Sequence, residues 1–289
     1  MPIPQSIVFA GCARNCQSYL PAVLNNIERI RSLFATSAML VCENDSTDNT
    51  RDILADWGRS APNFTLLNLD GLGQTPWPNL RLEFARNTLL DNIRSWPSLR
   101  SHELLLVLDF DDVNANDLDL NQLSGALEWM TAQDDVAAIF PNQVGGNYYD
   151  MWALRHKTLC PTDIWEDVAD YQRLHQCDDE TAFAAVFKTR EFSLPTDAAP
   201  LEVDSAFGGF GAYRLDYVLR NPNPYLGQKT KVIQDAGTIA IVRWQQCEHV
   251  HFHAGLRSLG GKLFIIPALV NTDTTTKGVR PSFFRTLPF

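Results

Sequence analysis

Two rhythms of apolar residues alternate along the first hundred positions. Short continuous runs rich in Ile, Val, Leu and Phe fall at Ser6 to Ala10, Ala38 to Cys42, Phe64 to Leu69 and Glu103 to Leu108. Runs of this length without alternation read as strands buried on both faces. Between them, Leu20, Val23, Leu24, Ile27, Ile30, Leu33 and Phe34 recur at helical spacing. Ile53, Leu54 and Trp57 mark a second helix, and residues 81–96 a third. Strand and helix in strict alternation predict a parallel sheet covered on both faces, with ligands beyond the carboxyl ends of its strands. The rhythm then loosens. A helix is expected over Asp117 to Met130 and a strand over Val136 to Phe140. Residues 160–182 form a polar, acidic insertion with helical character. Two Gly- and aromatic-rich loops, GGNYYDMWALRH at 145–156 and AFGGFGAYR at 206–214, complete the second half. No flexible linker separates the parts, so one integrated domain over 1–289 is expected, with halves at 1–115 and 116–289.

The polar clusters of the first half all sit at strand ends: Cys12 to Asn15, Glu43 to Asp48 and Asp109 to Asp112. The run LLLVLDFDDVN at 104–114 delivers Asp109, Asp111 and Asp112 from one strand into solvent. Three close carboxylates repel one another unless a cation sits among them, and a hard divalent ion with oxygen ligands is the economical choice. A solvated acidic turn with helix caps is the ordinary alternative. Arg86 offers a planar fork of donors suited to a diphosphate, or pairs with Glu83 on a helix surface. His249, His251 and His253 alternate. On a strand they share a face and suggest a metal; on a helix His249 and His253 pair while His251 diverges. One of the three is expected near the metal or as a base.

Together these motifs resemble the family 2 type of GT-A glycosyltransferase. The matching residues are the first strand and its loop, Glu43-Asn44-Asp45-Ser46-Thr47-Asp48, Ala85-Arg86-Asn87, and Asp109-Phe110-Asp111. The resemblance implies a GT-A fold, α/β, with a Rossmann-like nucleotide-binding half, a mixed, mainly parallel sheet and an acceptor-side half. It implies donor contacts from Ala10, Gly11, Cys12, Arg14, Glu43, Asp45, Arg86, Asp109 and Phe110. It also implies Mn2+ or Mg2+ at Asp109 and Asp111; of the three histidines, His251 is the one expected at that metal. CEHVHFHAGLRSLGGKLFIIPALVN at 247–271 resembles the family's acidic helix, turn and last strand. By that match Glu248 is the catalytic base and His249, standing where an Asp is usual, the second choice. Asn271 stands near the place of a metal-binding His. On the acceptor side the resemblance places Asp150, Trp152, Gly208, Gly209 and Tyr213. Tyr148, Tyr149 and Trp152 offer flat faces for a sugar ring. YYDMWALRH, FGGFGAYR and Cys247-Glu248 are also similar, more loosely, to fungal capsule-associated α-1,3-mannosyltransferases, which implies GDP-mannose as donor. The expected function is transfer of a sugar from a GDP- or UDP-linked donor to a glycan or lipid-linked acceptor.

Composition sets the outer bounds. The chain has 289 residues, 45% hydrophobic and 20% charged, an ordinary globular balance. A net charge of −10 excludes a nucleic-acid binder that works by phosphate neutralisation. Six scattered cysteines without a CxxC pair point to reduced thiols in the cytoplasm. Neither a signal peptide nor an apolar run of about 20 residues is found, and Leu263 to Val270 is broken by Pro267. The tail RPSFFRTLPF, at 280–289, offers Arg and Phe for a partner or for peripheral contact with a membrane surface. Two other readings stand beside the first. One is a haloacid-dehalogenase-like phosphatase with Asp109 as nucleophile, since DFDDV fits its motif; the other is a GT-A-like sugar-binding protein without catalysis.

Overall fold

The computed structural model describes residues 4–235 and 237–273. The tail at 280–289 lies outside them. The elements of the first half are β1 (Ser6–Ala13), α1 (Leu20–Arg31), β2 (Thr36–Glu43), α2 (Thr50–Gly58), β3 (Phe64–Asn68), α3 (Pro78–Ser95), α4 (Pro97–Arg100) and β4 (Leu104–Asp109). The predicted alternation is therefore present, with one change that matters for the site. β1 runs three residues beyond Ala10, because Cys12 and Ala13 still pair with Cys42 and Glu43 of β2. Ala10 and Gly11 thus lie inside the strand and not at its tip.

The second half contains α5 (Leu120–Thr131), β5 (Val136–Val144), α6 (Ile164–His175), α7 (Asp179–Val186), β6 (Leu201–Val203), β7 (Phe210–Arg214), α8 (Leu215–Arg220), β8 (Gln228–Asp235), β9 (Thr238–Gln245), α9 (Glu248–Ser258) and β10 (Lys262–Asp273). The acidic insertion is the helix pair α6 and α7. Each begins on an aspartate, Asp163 or Asp178, whose side chain accepts from backbone N–H groups of the first turn.

Eight strands form one sheet in the order β3-β2-β1-β4-β7-β5-β10-β6. It is a mixed, mainly parallel α/β sheet drawn from both halves of the chain. β7 runs antiparallel between β4 and β5, and β6 is antiparallel to β10. Because β7 reverses twice, β4 and β5 run the same way, and the carboxyl ends of β1, β2, β3, β4, β5 and β10 share one edge. The amino end of β7 joins that edge at Gly208 and Gly209. The register places Leu105 and Ala138 opposite the same Tyr213, so Asp109 of β4 and Asn142 of β5 lie level.

Apolar side chains fill both faces. Val8, Leu105, Val107 and Leu89 pack on one side with Phe252 and Leu256, and Phe9, Leu106, Leu108 and Leu20 on the other with Leu123 and Leu127. β8 and β9 form a separate two-stranded hairpin whose Lys229 and Lys231 meet Glu166 of α6.

Candidate active site

At the shared edge, the acids that end β2 and β4 are held in different ways. Glu43, the last residue of β2, is fully buried. One of its oxygens accepts from Ser46 N at 2.8 Å, and the other pairs with Arg51, which also reaches Asp70. Asp45 sits in a left-handed conformation at φ 49°. Its carboxylate accepts from Gly71 N and Gly73 N, and those two hydrogen bonds hold its pKa below the ordinary value. Both acids, expected among the donor contacts, have oxygens committed to the loops of this chain. Arg14 is exposed at the rim, beside Gly73 and within electrostatic reach of Asp45.

β4 ends differently. Asp109 retains 31% of its side-chain exposure and accepts at Oδ1 from Arg86 at 2.9 Å. Arg86, only 3% exposed, donates through Nε to Glu248 Oε1, also at 2.9 Å. Its guanidinium lies 4.9 Å from the Phe207 ring centre and 5.9 Å from that of Tyr225. A buried arginine between two acids is stable because each charge is compensated; remove one and the others are stranded. The Cys12 side chain faces the same cluster. Burial pushes its thiol up to about 12, with Arg86 pulling down and Asp109 and Glu248 pushing up. Cys12, Arg86, Asp109 and Glu248, far apart in sequence, are thus brought together.

Beyond Asp109 the chain turns through a short 3-10 helix, Asp112–Asn114, capped by Asp111, which accepts from Val113 N. Asp111 is exposed. The turn is pinned from below by two amides. Asn114 Nδ2 donates to the carbonyls of Asp109 and Gly209 at 2.9 and 2.7 Å. Asn271 Nδ2 donates to Asn114 Oδ1 and to Gly208 O. Asn271 therefore braces the turn that carries the acids.

Several of the expected residues sit inside the fold. Ala10 is buried within β1, and Phe110 is 1% exposed, its ring lying where a Cβ on Gly11 would fall at 2.3 Å. Neither Ala10, Gly11 nor Phe110 offers a side chain to a ligand; they seat β1 against β4. Gly208 and Gly209, at φ 67° and 100°, are glycines because the chain approaches itself. A Cβ on Gly209 would meet the Val113 side chain at 2.6 Å. Tyr213 is fully buried with its hydroxyl 2.9 Å from His253 Nε2, so it is a core residue.

α9 is a helix, and the histidines divide as helical geometry requires. Glu248, His249, Phe252, His253 and Leu256 are buried, while His251 is half-buried on the other side. No group of three His, Cys, Asp or Glu able to hold a metal occurs among the described residues. His253 is bound by Ser205 and Tyr213, and burial lowers its pKa to about 3. His249 stacks on Phe207 at 3.9 Å between ring centres, and burial holds it neutral, well below its ordinary value. Glu248 is 4% exposed; burial pushes its carboxyl up while Arg86 pulls it down.

On the acceptor side Asp150 is half-buried. It accepts from Gly208 N at 2.8 Å and Ala153 N at 3.3 Å, and lies within electrostatic reach of Asp109 and Arg86. Desolvation raises its pKa above the ordinary carboxylate value. Tyr148 is buried and stacked on Phe192, Trp152 is half-buried, and Tyr149 is exposed. Tyr225 carries no sequence signal that marks it as part of a site, and Phe207 and Asn114 lie in quoted motifs without being singled out. They emerge only from packing.

No family model matches this chain, and no curated protein matches it in sequence. Several solved structures are similar to it at low sequence identity. A mannosyltransferase from Pyrobaculum calidifontis, in complex with GDP-Man and Mn2+, is 15% identical over 96% of this chain and 58% of its own, with a TM-score of 0.49. TarS from S. aureus, in complex with UDP-GlcNAc, is 12% identical over 92% and 57%, with a TM-score of 0.48. Glucosyl-3-phosphoglycerate synthase from Mycobacterium tuberculosis, with Mn2+, UDP and phosphoglyceric acid, is 13% identical over 93% and 68%, with a TM-score of 0.43. The chain thus spans under two thirds of the length of the first two. By itself, this chain shows a mixed α/β fold with a large, mainly parallel sheet.

Proposed function

We propose that this protein is a glycosyltransferase that takes a sugar from a nucleoside diphosphate. The observation that carries the reading is the pair Asp109 and Asp111 at the tip of β4. One is oriented by a buried arginine, the other exposed, on the edge where a parallel sheet binds ligands.

Two carboxylates, with no group of three possible ligands among the described residues, fit a cation that arrives with its diphosphate. Mg2+ and similar ions are commonly held by one or two carboxylates plus substrate phosphates. Asp109 and Asp111 would hold Mn2+ or Mg2+. When bound, that ion neutralises charge on the departing diphosphate. Arg86 already holds two acids through Nε and Nη2; it orients Asp109, and Glu248 completes the charge balance behind it. The exposed Arg14 is the better placed cation for the diphosphate. The loop anchored by Asp45 forms the wall beside it.

Glu248 and His249 are too enclosed to meet an acceptor hydroxyl in this conformation. Asp150 is the carboxylate that faces the acceptor side, and desolvation moves its pKa toward the operating range of a general base. We therefore assign Asp150 the acceptor proton and Glu248 a positioning role. The donor base and sugar follow only from the resemblance, where GDP-mannose ranks slightly above UDP-sugars.

The test is release of GDP or UDP from GDP-mannose, UDP-glucose and UDP-N-acetylglucosamine, with Mn2+ and with EDTA. Metal-dependent release supports the reading. Release that EDTA leaves unchanged, or none from any donor, removes it. For the phosphatase alternative Asp109 must attack a phosphate; the Arg86 bond to its Oδ1 favours a ligand role instead.

A further inference from the structure

A second cleft opens on the same sheet edge, at the end of β5. It is a wide, open depression of roughly 580 Å³ between residues 143–147 and 193–197. Its walls carry Gln143, Asn147, Ser193, Thr196 and Asp197, with Leu194 and Pro195 as apolar surface. None of its lining residues is basic, and Asp197 is the one acid among them.

The two walls are fastened at the base. Asn142 Nδ2 donates to Leu194 O at 2.8 Å and to Pro267 O at 3.0 Å. Tyr148 N donates to Phe192 O at 2.7 Å, and the two rings stack at 5.5 Å. Gly145 turns the first wall at φ 87°. The opening is therefore built into the fold by contacts between segments some fifty positions apart.

Gln143 points to what the cleft takes. It is 3% exposed, its amide nitrogen donates to Asn147 O, and its Oε1 has no partner. A buried amide oxygen without a donor costs about 1–3 kcal/mol, so a hydroxyl arriving from a ligand would be well received. Amides, hydroxyls and a little apolar surface without a cation suit a neutral polyhydroxylated ligand. They do not suit a phosphate or a sugar acid.

Its place relative to Asp109 gives it a role. Asn142 lies level with Asp109, and β7 alone stands between β4 and β5. Two strand spacings amount to about 10 Å. A short chain of sugars spans that gap, passing Asp150 and Gly208. We propose that the cleft at the end of β5 is an acceptor subsite for a neutral glycan chain, holding sugars distal to the hydroxyl that is glycosylated. The subsite rests on the transferase reading above.

Saturation-transfer NMR with neutral trisaccharides of mannose, glucose and xylose tests it, using the full chain as wild type, Ser193→Trp and Gln143→Leu. Ser193 is exposed on the cleft wall, so a tryptophan there fills the opening without entering the core. Wild type should show transfer to at least one trisaccharide. Ser193→Trp should lose it at least tenfold, and Gln143→Leu should weaken it. Thermal shifts with GDP or UDP and Mn2+ run in parallel on the same proteins. Unchanged trisaccharide binding in Ser193→Trp, or no binding by wild type, overturns the subsite. If the nucleotides with Mn2+ still stabilise the protein, the donor reading survives that loss. If they do not, that reading falls separately.

Discussion

The acids at the tip of β2 and those at the tip of β4 look alike in sequence and stand on the same edge of the same sheet. Their surroundings set them apart. Glu43 and Asp45 are satisfied by their own loops, through Ser46, Arg51, Gly71 and Gly73. Asp109 is held on one oxygen by Arg86, and Asp111 stands exposed beside it. The first pair shapes a wall; the second presents charge. Which carboxylates can act on a ligand is decided by what already holds them.

The sharpest way to break this comparison is at Arg86. Arg86→Met leaves Glu248 buried and Asp109 part-buried without their common cation. Breaking a buried pair in this way costs about 3–5 kcal/mol, with the lower end expected because Asp109 keeps some solvent. Urea unfolding reads it as a lower midpoint. A loss below about 1 kcal/mol would mean that the two acids do not depend on the arginine.

Acid should weaken the same region next. His253 has a folded pKa of about 3 against 6.5 when free, and His249 is shifted in the same direction. The unfolded chain then binds more protons than the folded one below 6.5. Stability is complete above pH 6.5 and declines as pH falls toward 3. Each histidine contributes up to one proton to the slope. His253→Phe should flatten the dependence of the urea midpoint between pH 7 and 5. An unchanged slope contradicts the assignment.

At β2 the effect should be on stability first. Glu43→Gln loses the charge that pairs with Arg51 while keeping the shape, at about 1–3 kcal/mol. Metal-dependent stabilisation by nucleotide should persist in this variant, unlike at β4. Asp45→Asn should do least. The amide protons of Gly71 and Gly73 should exchange faster, with the unfolding midpoint unmoved. A collapse of global stability here would erase the distinction between a loop anchor and a core residue.

Much of the first half was legible because a strand buried on both faces is an apolar run, and its end shows as an abrupt acid. Asp109 and Asp111 were readable for that reason. The partnership of Arg86 with Glu248 was not, since 162 positions separate them and periodicity carries no such information. The glycines at 208 and 209 were visible but ambiguous. Sequence shows that a backbone comes close to something; a Cβ on Gly209 would meet Val113 and Asn271, and one on Gly208 the carbonyl of Pro141. Tyr213 misled for a related reason, as an aromatic beside glycines is equally suited to a sugar or to a core. The hairpin β8–β9 did have a signal, two stretches with β-branched residues around a Gly-containing turn, and it was passed over.

The central claim is that Asp109 and Asp111 bind a divalent ion together with a nucleoside diphosphate. Thermal unfolding of wild type and Asp111→Asn with GDP or UDP, each with and without Mn2+, tests it most directly. Asp111 is exposed, so the substitution should leave the unliganded midpoint in place. A ligand at 100 times its dissociation constant adds about 2.7 kcal/mol to the folded state. The account predicts that one nucleotide with Mn2+ raises the wild-type midpoint by several degrees, that neither component does so alone, and that Asp111→Asn loses the rise. Equal stabilisation of both proteins, or stabilisation that does not need the metal, would contradict it.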